Sequence, residues 1–349
     1  MFRDDFVWGV ASSAYQVEGT DAADGRGACV WDMFAADGRV FEHQNADTSC
    51  DHMHHYKEDI ALMRHLGIRA YRFSLNWARI LPEGTGRVNE KAIAMYRDMI
   101  LTMKENGITP YLTLFHWEFP QALYERGGWQ NPDVIQWFGE YAKVVAENFS
   151  DICEYFITIN EPQCVVGLGH LSGVHAPGVK LPVAQTFLVA HHLLMAHGQA
   201  VINLRRYAVR PVRIGFAPTG GVAYPYTDRP EDIEAAKKVY FGFYNPIDNW
   251  TWNVSWFSDP VFLGHYPEEG LKKFAQYLPE ITQEDMELIY QPLDFMGQNI
   301  YNGYYVRAGA DGEPEFVDRA PGFPKTGSDW PVTPEAFYYG IKFLTERYP

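Results

Sequence analysis

Residues 89–115 read NEKAIAMYRDMILTMKENGITPYLTLF, and they predict one helix followed by one strand. The helix is predicted over residues 89–105, and Asn106 with Gly107 ends it, because glycine readily adopts the left-handed conformation that closes a helix. The apolar residues 108–115 are predicted to be the strand. The segment therefore indicates a unit of helix, short turn and strand.

The same alternation continues along the rest of the chain. Short apolar runs lead into polar loops, and these lead into segments of helical period. Such alternation predicts a parallel sheet that helices cover on both faces, and both a doubly wound open sheet and a closed eight-stranded barrel fit it. The predicted strands are residues 6–11, 68–74, 108–115, 155–159, 212–217 and 295–300, and further helices are predicted over 56–66, 131–148, 184–207 and 333–347.

The composition is that of a folded chain of ordinary size for one α/β barrel. Of its 349 residues, 47% are hydrophobic and 21% are charged, which allows a sizeable core. The formal net charge of -15 repels phosphate groups, which argues against nucleic acid and anionic membranes as partners. Aromatic residues make up 15% of the chain, a content that suits sugar stacking and ordinary cores equally.

The cysteines and the N-terminal residues predict a cytoplasmic location. Cys29, Cys50, Cys153 and Cys164 are widely spaced, which predicts buried free thiols in a reducing compartment. The first residues lack a basic stretch followed by an apolar run, so we expect no signal peptide. We also expect no membrane span, because no apolar run approaches roughly eighteen residues.

Polar side chains at the ends of the predicted strands are the candidate site residues, because chemistry in such folds lies where strands end. Gln16 either binds sugar hydroxyls or satisfies loop backbone. Arg72 either holds a catalytic carboxylate ionised or pairs a structural acid. His116 is a candidate for bonding a hydroxyl, although a lone histidine is more often structural. Tyr301 is able to donate to a carboxylate, and Asn299 is able to steady a loop.

The segment Thr158-Ile159-Asn160-Glu161-Pro162 gives the sharpest chemical signal of the chain. A carboxylic acid at the apolar mouth of a barrel is expected to have a raised pKa. A raised pKa is what a general acid needs to protonate a leaving oxygen near neutral pH. The structural alternative is a capping or salt-bridged glutamate.

Taken together, these segments resemble glycoside hydrolase family 1, the β-glucosidase family. Each motif is weak alone, but the set occurs in the family's order over essentially the whole chain, and it favours the barrel over the open sheet. The matching residues are Trp8-Gly9 through Gln16-Val17-Glu18-Gly19, Tyr71-Arg72-Phe73-Ser74, Trp77, Arg79-Ile80-Leu81-Pro82, His116-Trp117, Pro120-Gln121, Thr158-Ile159-Asn160-Glu161-Pro162, Gly173, Ala176-Pro177-Gly178, His197-Gly198, Trp256-Phe257, Asp259-Pro260, Tyr266-Pro267, Asp294-Phe295, Gly297 and Asn299.

The resemblance implies a (β/α)8 TIM barrel that hydrolyses terminal β-D-glucosides with retention, using two Glu residues and no cofactor or metal. The implied substrate is a β-linked oligosaccharide or an aryl or alkyl β-glucoside. Glu161 corresponds to the acid/base, and the two carboxyls of such enzymes lie roughly 5–5.5 Å apart. The implied substrate-binding residues are Gln16, His116, Asn160, Tyr301 and Trp330, and the implied supporting residues are Arg72 and Asn299.

The chain departs from the family pattern at its C-terminal end. The family's nucleophile belongs to a Thr-Glu-Asn-Gly motif, which is expected beyond residue 349. Glu105 also precedes Asn-Gly, but it follows a helix and therefore belongs to the opposite end of the barrel. We expect residues 1–349 to form a single, truncated catalytic domain with about six of eight strands and two exposed strand edges. We also expect that this domain does not hydrolyse glycosides by itself. Gln163 stands where the family often has an aromatic residue, which predicts a more polar leaving-group site.

Three alternatives stay open at this point. The first is a catalytically incomplete sugar-binding protein, or one part of a split enzyme. The second is a different glycone, which would make the enzyme a 6-phospho-β-glucosidase or a β-galactosidase. The third is a metalloprotein that uses Cys50, His52, His54 and His55, although their spacing fits no standard zinc pattern.

Overall fold

A computed structural model describes residues 2–20 and 24–348 and shows two sheets. The larger one has six parallel strands in the order β1-β2-β3-β4-β5-β7, and the smaller one has three strands in the order β6-β8-β9. The strands are β1 (Gly9–Ala11), β2 (Ala70–Ser74), β3 (Thr109–Phe115), β4 (Tyr155–Asn160), β5 (Arg213–Ala217), β6 (Val222–Pro225), β7 (Phe295–Met296), β8 (Gly303–Ala308) and β9 (Pro314–Val317).

Helices lie between successive strands of the larger sheet, and one more follows the smaller sheet. Among the described residues, none of them is long and apolar enough to cross a membrane. They are α1 (Ala14–Val17), α2 (Val30–Ala36), α3 (His52–His65), α4 (Trp77–Ile80), α5 (Glu90–Glu105), α6 (Gln121–Tyr124), α7 (Val134–Phe149), α8 (Pro162–Val166), α9 (Val183–Tyr207), α10 (Pro230–Phe241), α11 (Val254–Phe262), α12 (Glu268–Phe274), α13 (Gln283–Ile289) and α14 (Pro334–Arg347).

The larger sheet confirms the predicted fold class, an incomplete α/β barrel with six of eight strands. Each strand pairs in parallel with the preceding strand of the sheet, so their carboxyl ends meet at one rim. Within the described residues, β1 and β7 are the two edges of this sheet. The three residues of β1 are exposed, as expected for a strand with one unpaired side.

The inner face of the curled sheet is aromatic and polar. Arg72 pairs in register with Tyr111, and Tyr111 pairs with Tyr155, so the three side chains share one face. The rings of Tyr111 and Tyr155 stack with centroids 4.4 Å apart. Leu112 and Leu114 point the other way and are fully buried beneath the helices. This alternation separates the core of the molecule from the side of the sheet that carries the site.

The sequence prediction missed the smaller sheet entirely. β6 and β8 are parallel, and β8 turns back antiparallel onto β9. Helices α10 and α14 cover this sheet and form a second hydrophobic core with it. Two further predictions were wrong in part. The strand over 295–300 ends at Met296, and Cys50 is exposed while the other three cysteines are buried.

Candidate active site

The carboxyl ends of neighbouring strands bring the predicted polar residues together. Arg72 lies on β2, His116 directly follows β3, Asn160 ends β4, and Glu161 is the next residue. Asn299 follows β7 and bridges to Thr219, which follows β5. Residues from distant parts of the chain therefore meet at the rim, as expected for a parallel barrel.

Glu161 occupies a constrained backbone position between β4 and α8. Its φ is 49° and its ψ is 66°, a left-handed conformation that is uncommon for residues other than glycine. The Glu161 N–H donates to the Ala217 carbonyl at 2.8 Å, which continues the pairing with β5. Pro162 then starts α8, where its missing N–H costs nothing. The turn therefore fixes the direction in which the Glu161 side chain leaves the strand.

The Glu161 carboxyl is buried and accepts a hydrogen bond at each oxygen. Only 5% of the residue is exposed. Asn299 Nδ2 donates to Oε1 at 2.6 Å, and Cys164 Sγ donates to Oε2 at 3.2 Å. Burial raises the pKa of Glu161, while these two donors and the charge of Arg72 oppose the rise.

Arg72 holds the neighbouring amides but has no carboxylate as a hydrogen-bond partner in the described part of the chain. Its guanidinium donates to Thr113 Oγ1 at 3.0 Å, to Asn299 Oδ1 at 3.3 Å and to Asn160 Oδ1. Burial lowers the pKa of Arg72, and the nearby charge of Glu161 opposes this. A largely buried guanidinium without an ion pair is costly, so this position favours an additional carboxylate beside it.

His116 is a neutral side chain with a free donor. Asn160 Nδ2 lies 3.1 Å from His116 Nε2, and an amide nitrogen can only donate, so Nε2 is the acceptor and Nδ1 carries the proton. Burial and the charge of Arg72 lower the pKa of His116 well below its usual value. Within the described residues, its buried Nδ1 has no hydrogen-bond partner. The ring therefore carries one buried donor that no acceptor among the described residues satisfies.

A cavity of about 720 Å³ opens beside Glu161. Its walls include Gln16, Tyr301 and Trp330, which were predicted from the sequence to contact substrate. The rings of Tyr301 and Trp330 meet edge to face with centroids 5.2 Å apart. An adjoining cavity of about 380 Å³ is bordered by both Gln16 and His116. Asn160 lies behind this space and is fully buried, so its contacts are with Arg72, His116 and Asn299.

Sequence reasoning missed two residues of this site and misplaced a third. Cys164 lies one helical turn after Glu161, a spacing that indicates contact, yet no role was predicted for it. Trp117 has a φ of 86°, and its Nε1 donates to the Asn160 carbonyl at 3.0 Å. The prediction that Gln163 makes the leaving-group site more polar was wrong. Gln163 is fully buried, and its Oε1 accepts a bond from the Thr219 N–H at 3.2 Å.

The histidines that were considered as metal ligands contact carboxylates instead. His52 Nδ1 lies 2.6 Å from Asp59, His54 Nδ1 lies 2.5 Å from Asp51, and His55 Nδ1 lies 2.5 Å from Glu58. Across residues 2–20 and 24–348, no group of three or more His, Cys, Asp or Glu side chains is placed to hold a metal ion.

Comparison with known proteins places the chain in a family. The family described as "Glycosyl hydrolase family 1" matches residues 1–349. "Beta-glucosidase A" of Thermotoga maritima is 41% identical over 350 residues, an alignment that covers 99% of this chain and 76% of that protein. "1,4-beta-D-glucan glucohydrolase" of Thermotoga neapolitana is 40% identical and is covered over 79% of its length.

Solved structures agree with this assignment. The Thermotoga maritima β-glucosidase in complex with glucoimidazole matches with a TM-score of 0.87 and 40% identity. This match covers 99% of the present chain and 76% of the solved one. The same enzyme in complex with isofagomine lactam gives a TM-score of 0.86. The chain therefore belongs to glycosyl hydrolase family 1 and is a glycoside hydrolase.

Proposed function

We propose that this chain supplies the acid/base and the sugar pocket of a retaining β-glucosidase. The observation that carries the proposal is the Glu161 carboxyl, which is buried, has a raised pKa and borders a cavity large enough for a ligand. In the first step Glu161 gives its proton to the leaving oxygen. In the second step its carboxylate takes a proton from the water that attacks the glycosyl intermediate.

The nucleophile of this proposal is a carboxylate outside the 349 residues. The contacts of Arg72 support the presence of this carboxylate beside it, because this largely buried cation bonds only uncharged oxygens in the described part of the chain. A carboxylate beside Arg72 would gain an ion pair close to Glu161. The family relative from Thermotoga maritima extends over more residues than the alignment covers, which is consistent with such a contribution. Residues 1–349 are then a single, incomplete catalytic barrel domain.

The proposed substrate is an uncharged β-glucoside. The names of the relatives specify β-glucosidase and 1,4-β-D-glucan glucohydrolase, and one solved relative holds glucoimidazole. Among the described residues, neither Lys nor Arg lines the cavity beside Glu161. The described lining fits an uncharged sugar, whereas a 6-phosphosugar would need a cation from outside these residues. Gln16, His116, Tyr301 and Trp330 are the proposed sugar contacts.

The experiment is chemical rescue of the 349-residue chain with azide. We expect no hydrolysis of a phenyl β-glucoside by the chain alone. Azide should replace the external carboxylate, attack the anomeric carbon and release phenol, which takes the proton of Glu161. The product should be the α-glucosyl azide, because a single displacement inverts the configuration.

Glu161→Gln provides the matched control for this assay. Gln keeps the size and the bonds of the side chain but has no acidic proton, so the azide reaction of the phenyl glucoside should be lost. Hydrolysis by the chain without azide would contradict the external nucleophile. A folded chain that forms no α-glucosyl azide would contradict the proposed function itself.

A further inference from the structure

Helix α1 carries Gln16 to the sugar pocket but is too short to fix its own position. It spans only four residues, Ala14–Val17, and in the described part of the chain its N-cap Ser13 makes no capping bond with its side chain. The first N–H groups of a helix have no partners within the helix, so their acceptors must come from elsewhere. The position of Gln16 therefore depends on residues outside α1.

Two side chains from neighbouring strands accept the first N–H groups of α1. The Ala14 N–H donates at 2.8 Å to Oγ of Ser74, the last residue of β2. The Tyr15 N–H donates to Glu118 Oε1 at 2.8 Å. Glu118 is only 1% exposed, so solvent competes little for this bond. Glu118 therefore holds the residue that directly precedes Gln16.

The other end of α1 has an anchor of a different kind. Glu18 Oε2 lies 3.2 Å from Arg79 Nε, and both side chains are almost fully buried. The Tyr96 hydroxyl donates to Glu18 Oε1 at 2.8 Å. These contacts join the end of α1 to α4 and α5, neither of which carries a proposed sugar contact. They hold the helix in place without linking it to the rest of the sugar pocket.

Glu118 does provide such a link, because it belongs to the loop that carries His116. Only Trp117 separates the two residues in sequence. His116 and Gln16 border the same cavity of about 380 Å³. His116 has an anchor of its own, since Asn160 Nδ2 lies 3.1 Å from its Nε2. The Glu118 bond therefore joins the segment that carries Gln16 to a loop that is already fixed.

We propose that Glu118 is a positioning residue that holds Gln16 at the distance from His116 that binding of a glucose ring requires. The inference rests on the proposed function, because it takes Gln16 and His116 as glucose contacts. Glu118 itself is not among the described residues that line this cavity or the one beside Glu161. Its effect on sugar binding therefore passes through Gln16, whose amide binds hydroxyl groups only in the right direction and at the right distance.

The test is calorimetric titration of the 349-residue chain with glucoimidazole, the ligand of one solved relative. Glu118→Ala should weaken binding by about three- to tenfold, the size of one neutral hydrogen bond. Glu118→Gln should keep the affinity within about twofold, because its amide oxygen still accepts the Tyr15 N–H. Gln16→Ala should also weaken binding. In that background Glu118→Ala should change the affinity by less than about twofold, since the contact through which it acts is already lost.

Two further variants separate positioning from a general loss of stability. Thr282→Ala is the matched control, because it removes a capping bond of α13, the one from the Asp285 N–H to Thr282 Oγ1 at 3.1 Å. It should bind glucoimidazole as tightly as the unchanged chain. Glu118→Met keeps the length of the side chain but is at best a weak acceptor, so it should lower the affinity as Glu118→Ala does. It replaces Glu118→Ala if circular dichroism shows that variant to be unfolded.

Several outcomes would overturn the inference. Glu118→Ala and Glu118→Met that bind as tightly as the unchanged chain would do so. Losses from Gln16→Ala and Glu118→Ala that add in full would show that Glu118 does not act through Gln16. An equal loss in Thr282→Ala would reduce the effect to stability, and no binding of glucoimidazole by the unchanged chain would also end the inference. The azide reaction of the unchanged chain reports separately on the proposed function, because it requires no change at Glu118.

Discussion

The loops after β3 and β4 each carry a buried glutamate, and the two differ in what they face. Glu118 is 1% exposed, and burial raises its pKa to about 8. Its Oε1 accepts a bond from the Tyr15 N–H at 2.8 Å, and its Oε2 has no partner among the described residues. Glu161 is 5% exposed, also has a raised pKa, and borders the large cavity.

The difference shows that a raised pKa alone does not identify a catalytic acid. Burial keeps both carboxyls protonated at higher pH than usual. Of the two carboxyls, only that of Glu161 borders a cavity in which the oxygen of a leaving group could accept the carboxyl proton. The Glu118 carboxyl contacts the backbone of α1 instead. Access to the cavity therefore separates the proposed acid from a structural carboxyl.

The largest expected effect is on the rate of the azide reaction. Glu161→Gln should lower the rate for an alkyl β-glucoside by about 10²- to 10⁴-fold, the contribution of a general acid. Glu118→Gln should leave the rate within a few-fold of that of the unchanged chain, because it keeps the bond to Tyr15. Steady-state kinetics of the azide reaction measure the rates of both variants. Equal losses in the two variants would remove the distinction between the two carboxyls.

The next effect is on the pH dependence of stability. The pKa of Glu118 is about 8 in the folded chain and near 4.5 when unfolded, so the folded state binds more protons between these values. The contribution of Glu118 to stability is complete below about pH 4.5 and is lost as the pH rises through about 8, by up to about 1.4 kcal/mol per pH unit. Urea unfolding from pH 5 to 9 should show this fall, and Glu118→Gln should flatten it. An unchanged slope in Glu118→Gln would contradict the burial of this carboxyl.

A smaller effect is expected from removal of the whole Glu118 side chain. Glu118→Ala leaves the Tyr15 N–H without its acceptor, which should cost about 1–3 kcal/mol in the free energy of unfolding at about pH 4, where the Glu118 carboxyl is largely protonated in both the folded and the unfolded chain. Glu118→Gln should cost less than about 1 kcal/mol, because its amide oxygen still accepts the bond. Denaturant titration of both variants measures the difference. A similar loss in both would mean that the bond to Tyr15 contributes little.

The smallest effect concerns the thiol that contacts Glu161. The Cys164 hydrogen bond lowers the pKa of Glu161 against the effect of burial. Cys164→Ala should therefore move the basic limb of the pH–rate profile to higher pH, and Cys164→Ser, a stronger donor, should move it lower, each by less than about one unit. Cys153→Ala is the control, since Cys153 is buried beneath the sheet and bonds Pro110 and Tyr155. Shifts in the same direction for both Cys164 variants would contradict this role.

The larger sheet was predictable because its signals are local. Each strand after β1 is a short apolar run that follows a helix. The predicted helices over 89–105 and 184–207 differ from α5 and α9 by only one residue at their starts. The smaller sheet was not predictable in this way. Val222 pairs with Gly303, far along the chain, and neither segment shows a pattern that reveals its partner before the chain folds.

The sequence predicted which residues belong to the site, but it did not predict which atoms they contact. The order of motifs brought Arg72, Asn160, Glu161 and Asn299 into one group, and the structure places them within hydrogen-bonding distance. Their catalytic roles stay predictions. Sequence could not show that Gln163 turns inward, because neighbours on α8 point in different directions and only packing decides which one meets the cavity.

The most direct test of the difference between Glu161 and Glu118 is the dependence of the Glu161→Gln rate on the leaving group. Dinitrophenolate is a good leaving group that departs without being protonated. An alkyl group's oxygen must receive a proton as it leaves. We expect Glu161→Gln to react with azide and dinitrophenyl β-glucoside nearly as fast as the unchanged chain, whereas its rate with the alkyl glucoside should fall by at least about a hundredfold. Equal losses for the two substrates would contradict the assignment of Glu161 as the proton donor.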